Sequence, residues 1–161
     1  MNLTEELQKM LNGFKEQASQ EVQIEMQKAY EELVTRKIGN DSLGVDATFP
    51  DFELINQNNS NMTLDDLLER SKYLLISFYR GGWCPYCNLE LRALQERLPK
   101  LNELGVNLVT ITPEKPDQSL STAEKNDLDF NVLSDINCEL SRKIGISFEL
   151  PENLKPIYSN F

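Results

Sequence analysis

The sequence has 161 residues, of which 40% are hydrophobic and 26% are charged, as expected for one globular domain with a core of its own. A net charge of -10 disfavours binding to the phosphate backbone of nucleic acids and to anionic membrane surfaces. No apolar run approaches the roughly 18 residues of a membrane-spanning helix, and the polar, acidic start of the chain is unlike a signal peptide. We therefore expect a cytoplasmic protein without nucleic-acid or membrane partners.

The N-terminal part of the chain shows the spacing of an amphipathic helix. Apolar side chains recur at intervals of three and four over residues 2–38, from Leu3 to Leu33. The pattern predicts a helical extension at 1–38, which either packs on the domain or mediates dimerisation, because an apolar stripe serves both purposes. Turn-forming residues at 39–44 mark the boundary with a domain at 39–161.

The middle of the chain predicts a βαβ unit. An extended segment at 48–56 and a short helix at 62–70, capped by Asn61 or Thr63, lead to the apolar run "KYLLISFY" at 72–79. This run is typical of a central strand buried on both faces. The helix that follows should be bent or ended by Pro99 and stopped by Gly105, and "VNLVTIT" at 106–112 predicts a second, parallel strand.

The last third of the chain predicts alternating short elements. They are a helix at 119–128, a strand at 129–135, a helix at 136–145 that ends at Gly145, and a helical tail from Glu152. The fold class is therefore α/β.

The candidate site is the stretch "RGGWCPYC" at 80–87, between the predicted strand and its helix. Open α/β sheets carry their chemistry at the carboxyl ends of their strands. Pro85 suits the first helical turn, which sets Cys84 and Cys87 on one face, with Cβ atoms about 5–6 Å apart. The helix N-terminus stabilises a thiolate, helped by Arg80 if that side chain is not simply solvated. No histidine is present to act as a base.

Three interpretations of the cysteine pair remain open. A redox couple agrees with the order of strand, CxxC and helix. A zinc site would need more ligands than Cys138 supplies, unless two subunits shared it, and two inert buried cysteines are the third possibility. Trp83 is expected to shield the site and pack on the core, with substrate contact as the alternative. Cys138 is either a small buried residue or a resolving or intermolecular thiol.

The stretch "FYRGGWCPYCNLELRALQ", together with "ATFPDFELIN" and "TITPEKPDQSLSTAEKNDLDFNVLSD", resembles the alkyl hydroperoxide reductase/thiol-specific antioxidant family of the peroxiredoxin group, in its CxxC branch. The resemblance covers about residues 38–160 and implies a thioredoxin-like fold and thiol-dependent reduction of hydrogen peroxide or organic hydroperoxides. Thioredoxin or a glutathione-type dithiol would recycle the protein, and no bound cofactor would be needed. The alternatives are a general thiol-disulfide oxidoreductase and a non-catalytic interaction domain.

The resemblance implies catalytic roles for Cys87, Cys84 and Arg80. In the peroxiredoxin register Cys87 stands at the peroxide-attacking position, Cys84 at that of a threonine, and Arg80 at that of a proline. We predict that Cys87 attacks and Cys84 resolves, although in the thioredoxin register Cys84 would attack, and as the cysteine nearer the helix end it is expected to be the more exposed.

Family members continue through a strand preceded by a cis-proline and an antiparallel partner strand, whereas this sequence ends at Phe161. We therefore expect an incomplete domain whose exposed sheet edge is covered by homodimerisation.

Overall fold

The structure is a computed structural model that describes residues 1–69 and 71–159. The helices are α1 (Leu3–Gln17), α2 (Gln20–Thr35), α3 (Leu64–Leu68), α4 (Pro85–Glu103), α5 (Pro116–Lys125), α6 (Glu139–Lys143) and α7 (Lys155–Tyr158). The strands are β1 (Glu53–Asn56), β2 (Asn61–Thr63), β3 (Tyr73–Phe78), β4 (Val106–Thr112) and β5 (Asn131–Ser134). A 3-10 turn at Glu152–Leu154 precedes α7.

The five strands form one mixed sheet in the order β2-β1-β5-β4-β3. β3 pairs with β4 and β4 pairs with β5 in parallel, whereas β1 is antiparallel to both of its neighbours. The predicted βαβ unit is confirmed as β3-α4-β4, and the predicted third strand is β5. The carboxyl ends of three parallel strands therefore lie at one edge of the sheet, which is where open α/β sheets bind ligands.

The prediction that 72–79 forms a central strand buried on both faces is wrong. β3 is the last strand of the sheet, and Tyr73 and Leu75 are 53% and 38% exposed. The backbone N–H groups of Tyr73 and Tyr79 donate to the carbonyls of Gly105 and Ile111, on the side of β3 that faces β4. Because strand residues alternate in direction, the even-numbered backbone groups of β3 point away from β4. An apolar run indicates β propensity, but it does not indicate whether the strand pairs with one neighbouring strand or with two.

The main hydrophobic core packs α4 and α5 against the sheet. Its buried members are Tyr79, Leu91, Leu98, Leu108, Ala123, Phe130 and Val132. Each buried Leu contributes about 1.5–3 kcal/mol through removal of apolar surface from water. Cys87 packs against the same cluster, so the second cysteine of the motif lies at the margin of the core.

The predicted continuous helix over 2–38 is instead two helices. Ser19 has an extended backbone (φ -60°, ψ 154°), and its hydroxyl accepts from the N–H of Val22 and so caps α2. A serine favours the cap because its side chain competes for backbone hydrogen bonds inside a helix. Pro99 does not end α4, which continues to Glu103.

The predicted helix caps and the helical tail agree with the sequence pattern, whereas β2 (Asn61–Thr63) was not predicted and α5 begins at Pro116, three residues before the predicted helix. Thr63 caps α3 through a reciprocal capping box with Asp66, and Gly145 follows α6 with the expected positive φ of 74°. The tail is helical from Glu152. Residue 70, the predicted end of α3, lies outside the described residues. Within the two described ranges, no helix is long and apolar enough to cross a membrane.

The chain groups into two compact units, each made of separate segments. The first contains residues 1–7 and 51–140, including the whole sheet and the cysteine pair, and the second contains 8–50 and the chain from 141 onward. In the second unit, Asn153 holds α2 by donating to the backbone and side chain of Glu25. The division into 1–38 and 39–161 stays a prediction.

Candidate active site

The site is the loop between β3 and α4, at the carboxyl edge of the parallel strands. The N–H of Tyr79 still bonds to β4, through the carbonyl of Ile111 (3.0 Å), so the loop leaves a firmly held strand. It then turns through Gly81 and Gly82 and enters α4 at Cys84. The position agrees with the expectation that the motif joins a strand to a helix.

Cys84 is the N-cap of α4. Its backbone is extended (φ -84°, ψ 112°), and its Sγ accepts from the N–H of Cys87 at 3.5 Å. Pro85 occupies the first helical position, where a missing N–H costs nothing. A thiolate takes here the place that a Ser or Asp oxygen takes in an ordinary cap, next to the positive end of the helix dipole.

Arg80 lies directly against this sulfur. Its Nη2 donates to Cys84 Sγ at 3.1 Å, and its guanidinium carbon lies 5.0 Å from the centre of the Trp83 ring. The guanidinium therefore stacks on the indole on one side and contacts the thiol on the other. Trp83 remains 42% exposed, which makes it a neighbour of the site more than a member of the core.

The two thiols differ strongly in acidity. A hydrogen bond from the Cys87 thiol lowers the pKa of Cys84 to about 5, aided by the Cys87 N–H and by Arg80, and burial only partly opposes this effect. The same hydrogen bond raises the pKa of Cys87, and burial raises it further. Around neutral pH the pair therefore holds one thiolate at Cys84 and one thiol at Cys87.

Burial follows the opposite order to the one expected. Cys84 has 0% exposure and Cys87 is partly buried, so the expectation that Cys84 is the more exposed thiol is wrong. As the N-cap, Cys84 turns its sulfur back over the first turn of α4, where Arg80 covers it. Nearness to the end of a helix in sequence does not determine on which side of the cap a side chain points.

A network of buried side-chain amides holds the β3–α4 loop in place. Asn88 donates from Nδ2 to the carbonyls of Gly82 (2.8 Å) and Cys84 (2.9 Å). Its Oδ1 accepts from Asn126 Nδ2 (2.7 Å), and Asn126 Oδ1 accepts in turn from Arg92 (2.8 Å). α4 and the end of α5 thus fix the loop through satisfied buried polar groups.

Three residues outside the motif contact the loop and were not singled out from the sequence. They are Asn88, Thr122 and Glu114, whose Oε2 accepts from the N–H of Gly82 at 2.8 Å. Only Asn88 has a recognisable place in the sequence, one residue after the second cysteine of the motif. Glu114 and Thr122 read as an ordinary loop residue and an ordinary helix residue.

The structure brings Arg80, Cys84 and Cys87 together but places Cys138 elsewhere. Cys138 lies in the turn after β5, two strands from β3, with a left-handed backbone (φ 53°) and its N–H on the carbonyl of Asp135. Over residues 1–69 and 71–159, no group of three or more metal-ligating side chains is present.

The fold and the loop define the class: a thioredoxin-like α/β domain with a dithiol at the start of a helix. The chain belongs to the AhpC/TSA family, whose model matches residues 45–158. It is 31% identical over 104 residues to the putative peroxiredoxin bcp of Haemophilus influenzae (65% of this chain, 66% of the relative) and 28% identical over 97 residues to peroxiredoxin Bcp of Escherichia coli (60% and 61%). The chain thus spans between three fifths and two thirds of these relatives' length.

Solved structures show the same fold. Peroxidoxin BcpB of Mycobacterium tuberculosis superposes with a TM-score of 0.61 at 24% identity, covering 64% of this chain and 66% of that one. A reduced 2-Cys peroxiredoxin of Plasmodium vivax superposes with a TM-score of 0.58 at 22% identity, covering 65% and 71%.

Proposed function

We propose that this protein reduces hydrogen peroxide or organic hydroperoxides with the Cys84–Cys87 pair. The observation that carries the proposal is the thiolate site at Cys84, where a helix N-terminus, the Cys87 thiol and the Arg80 guanidinium converge on one sulfur. A thiolate is the form that attacks a peroxide oxygen. Membership of the AhpC/TSA family, and relatives named peroxiredoxin, support the same chemistry.

The electrostatics of the pair favour Cys84 as the attacking residue. Its thiolate would attack the terminal oxygen of the peroxide, so an S–O bond forms while the O–O bond breaks, Cys84 becomes a sulfenic acid, and the leaving alkoxide or hydroxide takes up a proton from solvent. The Cys87 thiol would then attack the sulfenic sulfur, forming the disulfide and releasing water. The opposite assignment, with Cys87 attacking, stays the prediction of the peroxiredoxin register.

Arg80 would act in two ways during the first step. Its Nη2, 3.1 Å from Cys84 Sγ, would stabilise the thiolate before attack, and the positive charge of its guanidinium would stabilise the negative charge that develops on the leaving oxygen. Because Cys84 has no exposed surface, a peroxide would reach its sulfur only after neighbouring side chains move.

The disulfide would be returned to two thiols by a dithiol protein of the thioredoxin kind or by glutathione. The exposed indole of Trp83 lies beside the pair and offers a contact surface to such a reductant. The cycle then consumes one peroxide and two reducing equivalents, and it needs no bound cofactor.

The test is a mass measurement on reduced protein carrying Cys138→Ser, with one equivalent of peroxide. We expect rapid loss of two hydrogens, and a Cys87→Ser variant should trap a dimedone-reactive sulfenic acid at Cys84. A sulfenic acid trapped at Cys87 in Cys84→Ser, with none at Cys84, would reverse the assignment of the cysteines. Absence of any reaction with peroxide would refute the peroxidase and leave the two alternatives below.

A second candidate is thiol-disulfide exchange without peroxide preference. It is favoured by the direction of the acidity difference, since a low-pKa first cysteine and a high-pKa second one suit attack on a disulfide followed by release. Fast reaction with a small disulfide and slow reaction with peroxide would select it. A pair inert to both would indicate a non-catalytic interaction domain.

We further propose a homodimer formed through the free edge of β3, and a cytoplasmic location. β3 pairs with β4 alone among the strands of the described residues, and exposed Tyr73 and Leu75 lie along it. A reducing compartment suits three cysteines that are free in the structure. Sedimentation that gives a monomer mass at every concentration would reject the dimer.

A further inference from the structure

A carboxylate from a distant loop holds the turn in front of Cys84. Glu114 Oε2 accepts from the N–H of Gly82 at 2.8 Å, across 32 positions of sequence. Glu114 lies between β4 and α5, so it reaches the loop from the neighbouring strand's end. This hydrogen bond fixes the backbone of Gly82 relative to the end of β4.

Both glycines of the turn are needed for this approach. Gly81 has a φ of 157°, and a Cβ there would lie 2.8 Å from Glu114 Oε1 and would clash with the indole nitrogen edge of Trp83. A Cβ at Gly82 would clash with Thr122 Oγ1. The Glu114 carboxylate and the Trp83 indole therefore lie next to Gly81, while Thr122 of α5 lies next to Gly82.

Glu114 is itself held in place. Its N–H donates to Thr112 Oγ1 at 3.4 Å, at the end of β4. The next residue, Lys115, is the N-cap of α5, and its N–H donates to Gln118 Oε1 at 3.2 Å. The carboxylate therefore extends from a backbone that β4 and α5 fix on both sides.

We propose that Glu114 is a positioning residue, which holds the Gly81–Gly82 turn so that the Arg80 guanidinium lies over the Trp83 ring and contacts the Cys84 sulfur. Arg80 and Trp83 flank the two glycines, and without a fixed turn between them the guanidinium would not be held both 5.0 Å from the indole centre and 3.1 Å from the sulfur. The inference rests on the proposed function in that it assigns Glu114 to the same thiolate site.

The negative charge of Glu114 is not what the site uses. The groups that set the acidity of Cys84 are Cys87, Arg80 and burial, whereas Glu114 acts by charge on the buried phenol of Tyr79, whose pKa it raises together with burial. The role of Glu114 at the thiolate is therefore geometric, and a neutral acceptor of the same length should replace it.

The experiment compares E114Q, E114A, E114D and the control D117A in the 161-residue chain carrying Cys138→Ser. Asp117 is an exposed carboxylate in the first turn of α5, three residues from Glu114. Thiolate formation is followed by absorbance near 240 nm and by iodoacetamide alkylation against pH. Trp83 fluorescence reports the stack, because it is the chain's one tryptophan.

We expect E114A and E114D to move the Cys84 titration upward, to slow alkylation at pH 6 about threefold or more, and to change Trp83 emission. E114Q and D117A should stay within about twofold of wild type. If E114A and E114D titrate and alkylate like wild type, Glu114 has no role at the site and the proposal is overturned. If E114Q slows alkylation as much as E114A does, the role belongs to the charge of Glu114, which also overturns the proposal. If E114A does not fold by circular dichroism, E114D decides, because it keeps the charge and withdraws the acceptor.

These readouts separate the two proposals. A wild-type protein without a low-pH thiolate would defeat the proposed peroxidase chemistry at Cys84, and Trp83 emission would still report whether E114D loosens the turn. A normal wild-type thiolate with unchanged variants would defeat the positioning role and leave the peroxidase proposal intact.

Discussion

At the scale of single residues, two thiols three positions apart have pKa values that are shifted in opposite directions. The Cys84 sulfur accepts hydrogen bonds from the Cys87 N–H and from Arg80, and it accepts a third from the Cys87 thiol. Cys87 keeps the proton of that third hydrogen bond, which raises the pKa of Cys87. A chain with no histidine thus obtains a thiolate from a helix cap and one arginine.

Replacing Arg80 by methionine should raise the pKa of Cys84, because it removes a hydrogen bond and a positive charge from the thiolate. We expect alkylation of Cys84 at pH 6 to slow by about threefold to tenfold. Arg97→Met, an exposed arginine on α4 outside the site, is the matched control and should alkylate at the wild-type rate. Equal rates in the two variants would remove Arg80 from the site.

The pH dependence of the reaction follows from the direction of the Cys84 shift. Its pKa lies near 5, so the thiolate is formed above that pH and is lost as pH falls through it. Reaction with an alkylating agent should therefore stay nearly constant from pH 6 to pH 8, whereas a free cysteine loses about tenfold for each pH unit below its usual pKa of about 8.5. A rate that climbs steadily from pH 6 to pH 8.5 would contradict the assignment.

At the scale of elements, the site depends on how closely the β3–α4 loop approaches its neighbours. α5 presses on Gly82 through Thr122, and α4 holds the loop carbonyls through Asn88. Glu114, just after the end of β4, accepts a hydrogen bond from the same turn. The motif thus supplies the thiols, while three other elements supply the shape of the loop.

Gly82→Ala tests this packing, because its Cβ would clash with Thr122 Oγ1. We expect a cost of about 1–3 kcal/mol in the free energy of unfolding, as for other overpacked sites, and a shift of Trp83 emission. Thr122→Ala should restore part of both in the double variant. Denaturant unfolding followed by circular dichroism measures the stability.

Gly13→Ala is the matched control for that substitution. A Cβ at Gly13, inside α1, would meet nothing within 4 Å. The change should stabilise by about 0.5–1 kcal/mol, because alanine favours the helix over glycine, and it should leave Trp83 emission unchanged. Destabilisation at Gly13 comparable to that at Gly82 would show that the effect at Gly82 is not local.

At the scale of the whole molecule, the proposed pairing through β3 has to occur between strongly negative chains. Within residues 1–69 and 71–159, β3 pairs with β4 alone, which leaves one side of β3 for the proposed pairing, while a net charge of -10 on each copy opposes association at long range. Salt screens that repulsion over distances of about 10 Å at 0.1 M, and it does not weaken the pairing of backbone groups.

Association should therefore strengthen with ionic strength, measured as the dimer fraction by sedimentation at a fixed protein concentration. Leu75→Lys places a charge on the edge of β3 at a side chain that is already 38% exposed. We expect it to lower the dimer fraction without a loss of helix or sheet content. A dimer fraction that is unchanged by both salt and Leu75→Lys would place the interface elsewhere.

The sequence by itself determined the order of helices and strands around the site, the parallel β3-α4-β4 unit, and the position of the dithiol at the start of a helix. These features depend on local periodicity, on Pro85, and on glycines at the ends of helices, all of which act within a few residues. The break at Ser19 was missed because a serine is tolerated inside a helix as well as at its cap.

Only the tertiary structure decided that β3 lies at the edge of the sheet, that Cys84 and not Cys87 is fully buried, and that Glu114, Asn88 and Thr122 surround the turn. Strand order depends on which long-range pairs form, and no local pattern encodes it. The acidity of each thiol likewise depends on contacts within the loop's final shape, which packing against α5 and β4 decides.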